Sequence, residues 1–245
     1  MLRLMGITAH PDDEASFGGS LLLYRERGVE SFLVCLTPGQ AATHRGGAKS
    51  DQELSEMRRK EFAASGEVLR VGRGIVLDYP DGKLHRIDLY NVVCELTRQI
   101  REFRPHVLIS FGTEGGVTGH TDHAMAGVAA SLAFQWAGRN NRFPDQIKDG
   151  VEPHRTQKLY YTTAELALPG RQPIAFAPVT ATIEVAKYME EKIKAFQCHT
   201  SQSPLWPLFE QSVRKRKPVE QFHLAACAEP GPVVIETDLF AGITD

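Results

Sequence analysis

Short apolar runs alternate with longer amphipathic stretches through the first half of the chain. The apolar runs lie at residues 2–8, 31–36, 74–77 and 107–111. Continuous apolar runs of this kind are typical of parallel strands that are buried on both faces. Helical spacing of apolar positions follows each run, at residues 15–28, 51–69, 89–103 and 120–136. The alternation predicts a doubly wound, mostly parallel α/β sheet of Rossmann-like type, with helices on both faces.

The pattern weakens after Gly138. Strands are predicted at residues 158–162 and 181–185, a helix at residues 186–196, and a loop or short helix at residues 204–218. Neither an internal repeat nor a shift in composition marks a domain boundary. We therefore expect one domain over residues 1–245, in which residues from about 140 to 245 cap the sheet and line the mouth of the site.

Composition and charge exclude several classes of protein. Hydrophobic residues make up 42% of the chain and charged residues 24%, which are ordinary values for a folded domain. The formal net charge of −2 gives no basic footprint for nucleic acid, and the basic run at residues 214–217 is typical of a solvated loop or helix end. No apolar segment reaches the length of about 18 residues that a membrane span requires.

The cysteines and the N-terminus favour a cytoplasmic protein. The four cysteines are widely separated and form no Cys-x-x-Cys pair. Cys35 lies in an apolar strand pattern and Cys94 in a helical one, so both are expected to be reduced core thiols. The N-terminus leads directly into the first apolar run, which leaves no room for a signal peptide.

Polar residues with metal-binding chemistry follow two of the predicted strands. Residues 9–14, which read Ala-His-Pro-Asp-Asp-Glu, leave the first strand, and residues 119–123, Gly-His-Thr-Asp-His, come after the fourth. Open α/β sheets build their sites at the carboxyl ends of strands. Acidic side chains crowded onto one turn repel one another unless a cation joins them. The two clusters therefore predict a divalent metal site at this edge of the sheet.

These motifs resemble those of the PIG-L/LmbE-like zinc-dependent de-N-acetylases, which remove acetyl from N-acetylglucosamine-type compounds. Four further segments match landmarks of that family in the family order: Arg58-x-x-Glu61, Tyr79-Pro80-Asp81-Gly82, Arg104-Pro105-His106-Val107 and His199-Thr200-Ser201-Gln202. The resemblance covers roughly the first 200 residues, and the joint match is far more specific than any single piece.

The resemblance implies a metal-dependent hydrolase. It assigns His10, Asp13 and His123 as ligands of one Zn²⁺ ion per chain, with Fe²⁺ as the other candidate, and two imidazoles with one carboxylate are a common catalytic zinc set. It assigns Asp12 as the general base that takes a proton from the attacking water. It assigns His120 as the group that stabilises the tetrahedral oxyanion.

The remaining site residues are predicted to act around this centre. By resemblance, Arg58 and Asp81 contact the substrate. Asp122 is predicted to orient His120 or a neighbouring imidazole. The implied substrate is a small amino-sugar compound, and a homo-oligomer is compatible with the sequence.

Two departures from the family pattern bear on the substrate. Residues 37–40 read Thr-Pro-Gly-Gln where the family usually carries an acidic residue, and Thr121 stands where it often has proline. An amidase acting on a larger amide, such as a thiol conjugate or an antibiotic, and a non-catalytic metal-binding module are the alternatives. A dinucleotide-binding protein is disfavoured, because Gly-x-Gly-x-x-Gly does not follow the first strand. The sequence assigns no role to His199, Gln202 or residues 38–50.

Overall fold

The computed structural model describes residues 1–165, 174–229 and 231–243, and these residues form one α/β sheet with helices on both faces. Within them the sheet has seven strands, in the order β3-β2-β1-β4-β5-β7-β6. The strands are β1 (Arg3–Thr8), β2 (Glu30–Cys35), β3 (Arg73–Val76), β4 (Val107–Phe111), β5 (Lys158–Thr163), β6 (Ala181–Glu184) and β7 (Val219–Cys227).

The pairing is parallel through the first five strands. β1 pairs in parallel with β2 and β4, β2 with β3, and β4 with β5. β7 then inserts antiparallel between β5 and β6. The predicted doubly wound, mostly parallel sheet is confirmed, and its chain order reverses between β1 and β4. Open α/β sheets bind their ligands outside the carboxyl ends of strands at such a point.

β7 has no counterpart in the sequence prediction, although it is the longest strand of the described sheet. Only its first four residues alternate between half-buried and buried positions, and the rest are half-buried or exposed, so the strand has no continuous buried apolar run. Pairing on both sides, with β5 and β6, stabilises it instead. Tertiary context of this kind routinely outweighs local propensity in strands.

Helices connect the strands and cover both faces. They are α1 (Gly18–Glu26), α2 (Asp51–Val68), α3 (Leu89–Phe103), α4 (Thr121–Ala137), α5 (Pro144–Lys148), α6 (Met189–Gln197) and α7 (Trp206–Arg214). The first helix begins later than the pattern predicts, because Asp13–Phe17 form a tighter 3-10 turn. The Asp13 side chain accepts hydrogen bonds from the backbone of Ala9 and His10, which folds this turn back onto the end of β1.

The core forms two apolar layers, one on each face of the sheet. Met5 and Ile7 of β1 pack into the layer under α3 and α4, whereas Leu4 packs into the layer that contains Leu21 of α1. β1 is therefore buried on both faces, which explains its continuous apolar sequence. Across the described ranges, no helix combines the length and apolar character that crossing a bilayer requires.

Candidate metal centre and catalytic site

The two predicted motifs meet at the carboxyl edge of β1 and β4. Residues 9–14 leave β1 directly, and α4 begins at Thr121 after the loop that leaves β4. α4 lies very close to the end of β4, because a Cβ added at Gly127 would stand 2.2 Å from the carbonyl oxygen of Phe111. This approach places the first turn of α4, with His123, against the turn that carries His10 and Asp13.

Three groups lie close together at this edge and are called the donor triangle below: His10 Nδ1, His123 Nε2 and the Asp13 carboxylate, whose two oxygens face one imidazole each. His10 Nδ1 lies 3.2 Å from His123 Nε2, and His123 Nε2 lies 3.0 Å from Asp13 Oδ1. His10 Nδ1 is 3.6 Å from Asp13 Oδ2. Ligands about 2.0–2.1 Å from a tetrahedral zinc ion stand roughly 3.3 Å apart. The donor set therefore fits one such ion in both chemistry and spacing.

His10 is oriented by two carboxylates on the side away from the triangle. Its Nε2 lies 3.0 Å from Asp81 Oδ1 and 3.5 Å from Asp122 Oδ2, which leaves Nδ1 to face the donor triangle. Burial alone would lower the pKa of His10, but Asp122, Asp81 and Asp13 outweigh it and raise that pKa to about 10. Carboxylates in this position fix the ring orientation of a metal-binding imidazole.

His123 is oriented by the backbone and by an aromatic ring. Its Nδ1 lies 3.2 Å from the carbonyl oxygen of Gly115, which can only accept a hydrogen bond, so Nδ1 carries the hydrogen and Nε2 has a free lone pair. The imidazole stacks on Phe111 with ring centroids 4.2 Å apart. The sequence predicted no role in the site for Phe111 or Gly115, because their role arises only from their contact with His123 in the folded chain.

Asp13 is held as an ionised carboxylate. Its Oδ2 accepts the backbone N–H groups of His10 at 2.8 Å and Ala9 at 3.1 Å, so Oδ1 is left for the triangle. Burial would raise the pKa of Asp13, but His123, His10 and the backbone donor hold it well below its usual range. A deprotonated carboxylate is the form that binds a metal ion.

Asp12, which precedes Asp13 in the chain, has a strained backbone conformation. Its φ of 110° is in the left-handed region, where a residue with a Cβ carries about 1–3 kcal/mol of strain. Its Oδ2 accepts a hydrogen bond of 2.6 Å from Arg58 Nη2. Burial raises the pKa of Asp12, and the Arg58 guanidinium opposes that rise.

Arg58 and Asp81, the two predicted substrate contacts, are occupied within the site. Arg58 is 3% exposed, and besides Asp12 it donates to the carbonyl oxygens of Pro11 and Gly39. Asp81 accepts the N–H of Ala41 as well as facing His10. The substrate contacts stay predictions, and the contacts present in the structure join Arg58 to Asp12 and Asp81 to His10.

His120 is the exposed imidazole of the site and the N-cap of α4. Its Nδ1 accepts the backbone N–H of Asp122 at 3.1 Å, so the second nitrogen, Nε2, carries the hydrogen of the neutral ring. Burial, followed by the charges of His10 and His123, lowers the pKa of His120. The ring centroid lies 4.8 Å from that of His10. A neutral N–H donor therefore stands next to the donor triangle.

Asp122 orients His10 and not His120. Its carboxylate accepts the backbone N–H groups of Gly82 at 2.6 Å and Leu84 at 3.1 Å and faces His10 Nε2. The sequence prediction left open which imidazole Asp122 serves. Geometry selects His10, because the Asp122 carboxylate is directed toward residues 82–84, whereas only its backbone reaches His120.

A family model described as GlcNAc-PI de-N-acetylase, PIG-L, matches residues 5–134, which is more than half of the chain. The chain belongs to the PIG-L family. The predicted resemblance is thereby confirmed, and the matched range contains the whole donor triangle together with Asp12, Arg58 and His120. Two groups of side chains in the described structure have candidate ligand atoms that all lie within 4.8 Å of one another: His10, His120 and His123, and His10, Asp81 and Asp122. Asp13 is in neither group and joins the site through the 3.0 Å distance from its Oδ1 to His123 Nε2.

Individual relatives of this PIG-L protein act on different amides. Mycothiol S-conjugate amidase of Streptomyces coelicolor is 28% identical over 100% of this chain and 98% of its own length. Diacetylchitobiose deacetylase of Thermococcus kodakarensis is 30% identical over 86% of this chain and 75% of its own length. Among solved structures, N,N'-diacetylchitobiose deacetylase from Pyrococcus horikoshii superposes with a TM-score of 0.74 at 22% identity, covering 91% of this chain and 83% of that one.

Proposed function

We propose that this PIG-L protein is a zinc-dependent hydrolase that removes the acetyl group from an N-acetylglucosamine-type substrate. The observation that carries the proposal is the triangle of His10, Asp13 and His123 donors, with Asp12 next to Asp13 in the chain and paired with Arg58. When bound, Zn²⁺ supplies Lewis acidity toward an amide carbonyl and toward water. The same donor set suits Fe²⁺, so the metal content needs direct measurement.

Asp12 is proposed as the base that takes the proton from the attacking water. Its ion pair with Arg58 opposes the effect of burial and favours the ionised form that a general base needs. As the tetrahedral species collapses, the C–N bond breaks and Asp12 returns the proton to the leaving nitrogen. The products are acetate and a free amine.

His120 is proposed to stabilise the negative charge that develops on the carbonyl oxygen. Its Nε2–H is free to donate, since Nδ1 already accepts the N–H of Asp122. A preorganised donor of this kind is worth about 2.7–4 kcal/mol in the transition state of acyl transfer. The neutral ring suffices for this role, in agreement with the lowered pKa of His120.

The substrate class is inferred from the family and its relatives. The family description and the chitobiose deacetylase both point to N-acetylglucosamine units. We propose that residues 1–245 act as one domain and that residues from about 140 onward line the mouth for the rest of the substrate. Cytoplasmic localisation and self-association remain predictions.

An amidase acting on a thiol conjugate is the second candidate, because the mycothiol S-conjugate amidase aligns with the whole chain. Hydrolysis of either amide would use the same centre, and the two candidates differ in the amide that the pocket accepts. The test is to incubate the zinc-loaded protein with N-acetylglucosamine, diacetylchitobiose, an N-acetylglucosaminyl inositol and a mycothiol S-conjugate. Acetate release from the first three supports the deacetylase, whereas cleavage of the conjugate alone selects the amidase. Failure to cleave any of the four contradicts both.

A further inference from the structure

The left-handed backbone at Asp12 needs a partner that holds it in place. With φ at 110°, this residue directs its carboxylate toward Arg58, and relaxation to an ordinary conformation would move that carboxylate. The metal-binding residues on either side do not supply the restraint, because the Asp13 carboxylate binds the N–H groups of Ala9 and His10.

Glu14 supplies the restraint from a fully buried position. Its Oε2 accepts the backbone N–H of Asp12 at 2.9 Å, and its Oε1 accepts the Ser65 hydroxyl at 2.6 Å. The same Oε1 lies 2.7 Å from His199 Nε2. The Glu14 carboxylate thus ties the Asp12 backbone to α2 and to the segment after α6.

His199 is in turn fixed by the residues that follow it. Glu61 of α2 binds that segment through the Thr200 hydroxyl at 2.7 Å and through the backbone N–H and hydroxyl of Ser201 at 2.6 and 2.7 Å. His199 is itself 0% exposed, and its Nδ1 has no hydrogen-bond partner in the part of the chain that the structure describes. Its one polar contact through the ring is therefore with Glu14.

One face of α2 thus contacts the Asp12 carboxylate directly and the Asp12 backbone through Glu14. Arg58, Glu61 and Ser65 are spaced three and four residues apart, so they lie on one face of the helix. Arg58 binds the Asp12 carboxylate, Ser65 binds Glu14, and Glu61 binds the segment that carries His199. This arrangement gives a physical role to His199, which the sequence analysis left without one.

We propose that Glu14 and His199 are positioning residues for Asp12. Glu14 accepts the Asp12 N–H and His199 holds Glu14, so that together they keep the proposed base beside the metal. The inference rests on the proposed function. It predicts a loss of kcat without a loss of zinc, because the donor atoms of His10, Asp13 and His123 are held by other groups. A misplacement of about 1 Å in a catalytic group can cost about 100-fold in rate.

The experiment compares Glu14→Ala, Glu14→Gln and His199→Phe with the wild-type holoenzyme. Glu220→Ala is the matched control. Glu220 is also buried, but it lies on β7, where it accepts the N–H groups of Gly19 and Ser20 at the start of α1 and pairs with Lys192. Each protein is assayed for kcat and KM in acetate release, for zinc content and for folded fraction. A crystal structure of Glu14→Ala reports the φ of Asp12.

We expect Glu14→Ala to lower kcat about 100-fold, with KM and zinc content unchanged. Glu14→Gln should recover most of that loss, because its amide oxygen can still accept the Asp12 N–H. His199→Phe should lose about 10-fold, and Glu220→Ala should keep the wild-type kcat while it unfolds more readily.

A Glu14→Ala protein whose kcat is within about threefold of wild type would overturn the inference. So would a loss that parallels loss of zinc or of folded protein, or a Glu14→Gln variant as impaired as Glu14→Ala. If the wild-type protein itself releases no acetate, the proposed function fails separately. In that case the φ of Asp12 in the Glu14→Ala crystal still decides the inference, which requires Asp12 to leave the left-handed region.

Discussion

Arg58→Met tests how the proposed base is kept ionised. Arg58 Nη2 lies 2.6 Å from Asp12 Oδ2, and the arginine side chain is almost completely buried. Burial raises the pKa of Asp12, Arg58 lowers it, and the neighbouring Asp13 raises it further. Removing the guanidinium leaves the carboxylate without the strongest influence that lowers its pKa, so that pKa must rise.

The size of the effect follows from the burial of the pair. Removing one partner of a buried ion pair costs about 3–5 kcal/mol. Since the Asp12 side chain is 19% exposed, we take the lower end, about 3 kcal/mol, which corresponds to roughly 100-fold in an equilibrium constant. A general base must be ionised, so the acid limb of kcat/KM should move to higher pH. Activity at a pH just above the wild-type limb should then fall by up to about 100-fold and recover as the pH is raised.

The assay is kcat/KM for acetate release across a pH series with saturating zinc. Arg58→Lys serves as the control, because it keeps the positive charge but loses the forked geometry, and we expect it to shift the limb less. Zinc content should be unchanged in both variants, since Arg58 contacts none of the three donor atoms. If the Arg58→Met protein retains zinc and the acid limb of its kcat/KM profile lies at the same pH as that of the wild type, the role of Arg58 is refuted.

Three further predictions concern the surroundings of the centre and the scaffold. Asp81→Asn and Asp122→Asn should each weaken zinc affinity about 10- to 100-fold by releasing His10, as measured by competition with a chelator; unchanged affinity in both would exclude an orienting role. His120→Ala should lower kcat about 100- to 1,000-fold with one zinc still bound, and a kcat near wild type would remove His120 from the mechanism. Arg101→Met should lower the free energy of unfolding, measured by urea denaturation, by several kcal/mol. The reason is that buried Arg101 donates to Gln146 and to four carbonyl oxygens, those of Ala137, Phe143, Arg139 and Arg142. A loss below about 1 kcal/mol would contradict this explanation.

The strands that build the site were predictable because they are buried on both faces. A central parallel strand such as β1 must be apolar at nearly every position, and that requirement is visible in the sequence. β7 was not predictable, since its half-buried residues gain their stability from pairing with strands on both sides. Its position in the sheet depends on contacts that no local pattern carries.

In the site, too, features that lie within a few residues of sequence could be predicted, whereas contacts between distant segments could not. The turn after β1 and the histidines at the start of α4 could be recognised, because their chemistry is concentrated within a few residues. The roles of Arg58 and Glu14 could not be derived in this way: Arg58 contacts Asp12 across 46 residues of sequence, and His199 contacts Glu14 across 185. Family motifs located these residues, but only the packing of α2 against both segments indicates what they hold.

The most direct test of the central claim is the position of the metal itself. Anomalous diffraction at the zinc edge, from crystals of the zinc-loaded protein, locates the ion without reference to activity. The account predicts one peak per chain, about 2.0–2.2 Å from His10 Nδ1, an Asp13 carboxylate oxygen and His123 Nε2. A peak bound by other residues, or the absence of any peak in a fully zinc-loaded protein, would contradict it.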